Sequence, residues 1–236
     1  MHKRILLTGA SGGLGMLIAK NLLDQGHFLG LLFHSQEDKL KALATQYPDQ
    51  TDLIKADLSQ DDSFETIFNV FPNADVLIHA AGIASSGMSW KIPPKEFDRV
   101  NKINYFAPFY LSQCYIPNMR LQKWGRIIFF SSIVAQKGVV GTSAYSASKS
   151  ALIGLSKTMA VELGASGITV NAIAPGYMDS GMIREVSDEM IASIKDQVPS
   201  HTLGDPQGIV ALIDLLLKDT GSYITGQTLS INGGML

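Results

Sequence analysis

The chain has 236 residues, of which 46% are hydrophobic and 17% charged, with 19 Lys and Arg against 21 Asp and Glu and a net charge of −2. That length suits one sizeable domain able to bury a core without metals or cross-links. The near-neutral balance and the absence of a basic run speak against a nucleic-acid partner, and the single cysteine, Cys114, excludes an internal disulfide or a Cys-based structural zinc site. The apolar residues that follow Met1-His2-Lys3-Arg4 are too few for a signal-peptide core, and no apolar run reaches membrane-spanning length. The chain reads as a soluble protein of a reducing compartment, the cytoplasm, without a membrane partner.

Strand and helix patterns alternate along it. Ile5-Leu6-Leu7 predicts a first buried strand, and Leu14, Ile18 and Leu22, four apart, a helix that stops near Gly26. Phe28 to Phe33 is a second apolar run, followed by a helical pattern from Asp38 to Tyr47. Asp52-Leu53-Ile54 and Val76-Leu77-Ile78 predict a third and a fourth strand, separated by a helix over Asp61 to Val70. A longer helix is expected from about Asn104 to Gln122, with Pro108 and Pro117 as points of interruption. Strands over Arg126 to Phe130, Ile168 to Ile173 and Thr228 to Ile231 enclose helices over Tyr145 to Leu163, Ser187 to Gln197 and Gln207 to Leu217. Such alternation, with continuous apolar strands, predicts a single doubly wound α/β domain over residues 1–236: a seven-stranded parallel sheet of the Rossmann type, helices on both faces.

Two stretches carry chemistry. Thr8-Gly9-Ala10-Ser11-Gly12-Gly13-Leu14-Gly15 lies between the first strand and the first helix, where glycines let a backbone approach a pyrophosphate at a helix N-terminus. Its spacing differs from G-x-G-x-x-G, and Met16-Leu17 after Gly15 excludes a nucleoside-triphosphate loop. Tyr145-Ser146-Ala147-Ser148-Lys149 puts Tyr145 and Lys149 on one helical face. A free tyrosine titrates near about 10, so proton transfer near neutrality calls for a nearby cation to favour the phenolate. Ser131-Ser132 follows the fifth strand, at the carboxyl edge where such sheets place ligands.

Taken together and in this order, Thr8 to Gly15, Asn104, Ser132, Tyr145, Lys149 and Pro175-Gly176 resemble the short-chain dehydrogenase/reductase family over essentially the whole chain. The resemblance implies that Tyr145 exchanges a proton with a substrate carbonyl oxygen and that Ser132 positions that carbonyl. It implies further that Lys149 lowers the Tyr145 pKa and bonds the nicotinamide ribose, while Asn104 holds a water leading to solvent. For the cofactor it implies Gly9, Ser11, Gly12, Gly13, Leu14 and Gly15 around the phosphates, and Asp57 with Leu58 at the adenine. Ala81 and Gly82 would lie beside the adenosine ribose, and Pro175, Gly176, Met178 and Ser180 facing the nicotinamide carboxamide. His79-Ala80 replaces the family's usual pair of asparagines, and His79 reads as a structural hydrogen-bonder.

No acid closes the second strand; His34 and Ser35 stand there and could donate to a 2′-phosphate, which favours NADP. Gly12 opposes this, standing where NADP enzymes of the family often have Arg or Lys, so NAD stays open. Gly125-Arg126-Ile127-Ile128, the Ala165 to Asn171 segment and the tail from Tyr223 to Met235 resemble the 3-oxoacyl-acyl-carrier-protein reductases of the family. That implies NADPH-dependent reduction of a 3-oxoacyl thioester in fatty acid synthesis, on a carrier protein or coenzyme A, by a homotetramer. Ser166 stands where a carrier-docking cation is common, leaving Arg120, Lys123 and Arg126 as docking charges. Met178 to Val198, with Met178, Met182, Ile183, Met190 and Ile191, is expected to be a substrate lid. Two rival readings remain: an NAD-dependent dehydrogenase of another secondary alcohol, and a cofactor-binding module without catalysis. The presence of Ser132, Tyr145 and Lys149 counts against the second.

Overall fold

The computed structural model describes residues 2–181, 183 and 187–236; Met182 of the expected lid lies outside them. Seven strands form one sheet: β1 (Arg4–Thr8), β2 (Phe28–Phe33), β3 (Thr51–Lys55), β4 (Val76–His79), β5 (Gly125–Phe130), β6 (Ile168–Pro175) and β7 (Thr228–Ile231). The order is β3-β2-β1-β4-β5-β6-β7, and every pair is parallel. The helices are α1 (Gly13–Asp24), α2 (Glu37–Gln46), α3 (Ser63–Val70), α4 (Pro94–Asn101), α5 (Ala107–Gln122), α6 (Ser143–Leu163), α7 (Asp188–Gln197) and α8 (Gln207–Leu217).

Alternation along β1 sorts the core into two layers. Ile5 and Leu7 join Ile18 and Leu22 of α1, Leu40 and Leu43 of α2, and Ile209 and Ile213 of α8 on one face. Leu6 faces the other way, with Ile67 of α3, Leu111, Tyr115 and Met119 of α5, and Leu152 and Met159 of α6. Both faces are therefore covered, and the apolar strands are buried on both sides. Chain order reverses between β1 and β4, which opens a crevice at the carboxyl edge of the sheet. Among the described residues no helix is long and apolar enough to cross a membrane.

Two details differ from expectation. The helix expected from Asn104 begins ten residues earlier, as α4, and passes into α5 through a π turn at Lys102–Phe106. There the Ala107 N–H reaches back to the Lys102 carbonyl, one residue further than in an α-helix. Pro117 also fails to interrupt α5, because packing of Leu111, Tyr115 and Met119 carries the helix through it.

Candidate active site

A cleft of about 640 Å3 opens at the carboxyl edge of the sheet. Its floor is the β1–α1 turn, where close approach makes glycine a requirement. Gly9 has φ +70°, and a Cβ on it would lie 2.7 Å from the Ala81 amide nitrogen; one on Gly15 would lie 2.2 Å from the Gly9 carbonyl oxygen. Thr8 ties the neighbouring strand end to this turn, its hydroxyl accepting from the Ala81 N–H at 3.0 Å. Gly9, Gly12, Gly13 and Gly15 line the cleft with Leu14 among them, so a cradle of mostly bare backbone faces a helix N-terminus, as a dinucleotide pyrophosphate requires.

The same cleft contains Ser132, Tyr145 and Lys149. Ser132 follows β5 by two residues and caps the short turn after it, accepting from the Val134 N–H at 3.4 Å. Tyr145 and Lys149 come from the first turns of α6. Burial pushes the Tyr145 phenol above its ordinary value, and its hydrogen bond with Ser132 pulls the other way. Two hydroxyls from different elements thus converge, a geometry suited to gripping one oxygen atom.

Lys149 is buried, and desolvation brings its ammonium down to about 8. Its Nζ donates to the Phe130 carbonyl at 2.6 Å and stands 5.7 Å from the centre of the Tyr145 ring. The ammonium is thus held by a strand-end carbonyl within reach of the Tyr145 ring, and the direct hydrogen bond that favours the phenolate comes from Ser132. The Ser131 hydroxyl fixes the same turn of α6, donating to the Lys149 carbonyl at 2.8 Å.

Asn104 is fully buried on the π turn. Its Oδ1 accepts from the Ile83 N–H at 2.8 Å, and its Nδ2 donates to the Ile83 carbonyl at 2.9 Å and to Ser148 Oγ at 3.0 Å. Gly82 leaves room for this meeting, since a Cβ there would lie 3.2 Å from Lys149 Nζ and 3.3 Å from Asn104 Oδ1.

The other expected cofactor residues divide. Pro175, Gly176, Met178 and Ser180 line the cleft. Ser180 lies nearer the phosphate turn than a contact with the carboxamide implied: a Cβ on Gly13 would meet Ser180 Oγ at 2.8 Å and the Gly181 nitrogen at 2.6 Å. Ser11, His34, Ser35, Asp57, Leu58 and Ala81 are not part of the cleft wall. His34 and Ser35 are exposed at the end of β2, and His34 Nε2 lies 3.9 Å from Asp57 Oδ2. The Ser59 N–H donates to Asp57 at 2.9 Å and holds its carboxyl below the usual range. The Leu58 side chain belongs to the core, which leaves only its backbone for a ligand.

The wall also includes Ala84, Ser86, Tyr177 and Ile194. Ile194 was legible as an apolar position of α7; Ala84 and Ser86 gave no signal, because they lie in a loop without period. Of the expected lid, Met178, Ile183 and Met190 line the cleft and Ile191 does not.

The carrier-docking charges need correction. Arg126 is 2% exposed, and its guanidinium donates to the Leu216 carbonyl at 3.1 Å and the Gly125 carbonyl at 2.8 Å. Lys123 and Arg126 flank the start of β5, at the amino edge of a parallel sheet, while the cleft lies at the carboxyl edge. His79 is a structural hydrogen-bonder, as expected: it is buried, stacks on Phe129 and pairs with Ser112 at 3.1 Å.

A doubly wound sheet with a glycine cradle and a Ser–Tyr–Lys set in one cleft defines an oxidoreductase of the Rossmann type. A family model described as enoyl-(acyl carrier protein) reductase matches residues 9–236. The 3-oxoacyl-[acyl-carrier-protein] reductase FabG of Rickettsia felis is 37% identical over 234 residues, covering 99% of this chain and 97% of its own. The FabG of Staphylococcus epidermidis is 34% identical, covering 100% and 99%. A solved 4-hydroxyisoleucine dehydrogenase complexed with NADH superimposes with a TM-score of 0.93 at 30% identity, covering 99% of this chain and 98% of that one. The chain belongs to the short-chain dehydrogenase/reductase family. Membership implies a nicotinamide dinucleotide as cofactor, and the glycine cradle of the β1–α1 turn fits one.

Proposed function

We propose that this protein reduces a 3-oxoacyl thioester to the 3-hydroxyacyl form with NADPH, the acyl group being held on an acyl carrier protein or on coenzyme A. The observation that carries this reading is the convergence of the Ser132 and Tyr145 hydroxyls beside buried Lys149, in a cleft whose other wall is apolar through Met178, Ile183, Met190 and Ile194. Two hydroxyls on one oxygen favour a carbonyl over a carbon–carbon double bond. The apolar wall suits an acyl chain, and full-length relatives named for this activity support the choice of substrate.

Tyr145 gives its proton to the carbonyl oxygen, and Ser132 donates a hydrogen bond that places and polarises the carbonyl. Lys149 bonds the nicotinamide ribose and stabilises the phenolate left behind. The phenolate regains its proton from Lys149, which is recharged from solvent through a water that Asn104 holds. The bound cofactor supplies the hydride. Gly9, Ser11, Gly12, Gly13, Leu14 and Gly15 hold its phosphates, with Ser180 beside them. Asp57, the Leu58 backbone, Ala81 and Gly82 hold the adenosine, and Pro175, Gly176 and Met178 the nicotinamide. His34 and Ser35, exposed where no acid closes β2, favour a 2′-phosphate. The chain works as one domain with residues 178–198 as its lid, as a homotetramer in the cytoplasm.

Oxidation of NADPH by acetoacetyl-coenzyme A, followed at 340 nm with NADH in parallel, tests this. Turnover with NADPH is expected, falling by about 10²- to 10⁴-fold in Tyr145→Phe while NADPH binding persists. Tight NADPH binding without any thioester reduction would overturn the substrate assignment.

A further inference from the structure

We propose that Ser148 is a positioning residue of the proton-transfer site, holding the Asn104 amide to the turn of α6 that carries Tyr145 and Lys149. This role rests on the carbonyl-reducing chemistry proposed above, since it works through Asn104.

Ser148 has no exposed surface. Its hydroxyl donates to the Tyr145 carbonyl at 2.8 Å and accepts from Asn104 Nδ2 at 3.0 Å. A hydroxyl has a single proton, so these directions are fixed: Asn104 donates to Ser148, and Ser148 donates to Tyr145. The remaining amide hydrogen and the Oδ1 of Asn104 are both engaged by the backbone of Ile83. The Asn104 side chain therefore makes three bonds, two to the loop after β4 and one to α6, and Ser148 is the acceptor of the last.

A serine inside a helix often bonds a carbonyl of the preceding turn and does nothing more. That accounts for the bond to Tyr145 but not for a second, fully buried amide from another segment aimed at the same oxygen. Through that oxygen three pieces of chain share one register: the loop at Gly82 and Ile83, the π turn, and the first turns of α6. All three meet beside Lys149 Nζ, which together with Asn104 Oδ1 closes on Gly82. Removing the hydroxyl strands a buried N–H and lets the Asn104 segment shift against Tyr145 and Lys149 without deleting any group that transfers a proton. Small misplacements of this kind lower turnover more than binding.

Ser148→Thr and Ser148→Val have nearly the same shape and differ in the hydroxyl, so comparing them in the holoenzyme isolates it. Ser148→Val should lower kcat by about tenfold, with KM and cofactor Kd within about twofold of wild type, and Ser148→Thr should recover most of the loss. In an Asn104→Ala background Ser148→Val should add less than about twofold, because its effect passes through the absent amide. Equal kcat for the Thr and Val variants overturns the proposal, and so does an undiminished tenfold loss in the Asn104→Ala background. Ser148→Ala covers the case in which neither larger side chain is accommodated: a folded Ala variant with wild-type kcat also overturns it. A wild type that binds NADPH but reduces no 3-oxoacyl thioester refutes the substrate assignment alone, and the Ser148 variants are then compared on the carbonyl compound it does reduce.

Discussion

His79 has one nitrogen in use and, among the described residues, one without a partner. Ser112 gives its proton to the Pro108 carbonyl at 2.7 Å, so its oxygen accepts from His79 Nε2, which must carry the hydrogen. Nδ1 is buried with no hydrogen-bond partner among the described residues, and burial pushes the ring's pKa down to about 3. The folded protein therefore resists a proton that the unfolded chain accepts from about pH 6.5 downwards. Between those values the unfolded state binds more protons, so stability falls as pH falls, by roughly 2 to 3 kcal/mol between pH 7 and pH 4.5. Urea unfolding at the two pH values should show this loss, and His79→Leu should remove most of it; an equal loss in both proteins would contradict the assignment. Two further residues give predictions on the cofactor. Gly15→Ala puts a methyl group into the Gly9 carbonyl and should abolish dinucleotide binding, measured by quenching of protein fluorescence. His34→Asp places an acid at the exposed end of β2 and should shift the kcat/KM ratio for NADPH over NADH toward NADH by about tenfold or more.

The five inner strands were legible because each is largely an apolar run, as burial on both faces demands, while the edge strands β3 and β7 are only partly buried and showed as short segments with two apolar residues each. α4 was not legible. Pro94-Lys95-Glu96-Phe97-Asp98-Arg99 shows no apolar stripe, and Val100 is the one buried residue of the helix, so its position comes from packing beyond its own sequence. The π turn was equally hidden, since no local preference marks the carbonyl shifted by one residue at Lys102. Within the site, the glycine turn and the Tyr–Lys spacing could be read because their geometry is local. The tie from Asn104 to Ile83 and Ser148 spans 21 and 44 residues and could not. Pro117 marks the opposite error: it suggested a break, yet α5 runs through it at the cost of the bond that the Gln113 carbonyl would otherwise receive. Pro117 is exposed, so Pro117→Ala should stabilise the protein by about 1 to 3 kcal/mol, seen as a raised Tm with kcat unchanged.

Across the whole molecule, chemistry and cohesion occupy opposite edges of the sheet. The carboxyl edge is built of glycines, hydroxyls and a buried lysine. The amino edge of β5 is held by Arg126, whose guanidinium joins the strand to the end of α8 and reaches the Gly167 carbonyl at 3.4 Å. Arg126→Ala should cost roughly 3 kcal/mol in chemical denaturation, because it strands buried carbonyls, while kcat stays within about twofold. Lys123→Glu should leave KM for a carrier-linked substrate unchanged; a marked rise would return carrier docking to this edge. The two tryptophans divide along the same line. Trp90 is 75% exposed, four residues beyond Ser86 on the cleft wall. Trp124 lies between two cations, with Lys3 Nζ 3.4 Å and the Arg126 guanidinium 4.3 Å from its ring. The protein thus has a separate emitter at each end: caesium, a cationic collisional quencher, should reach Trp90 and be repelled from Trp124 by Lys3 and Arg126, so that ligand entry and loss of the fold can be followed as two optical signals from one unlabelled sample.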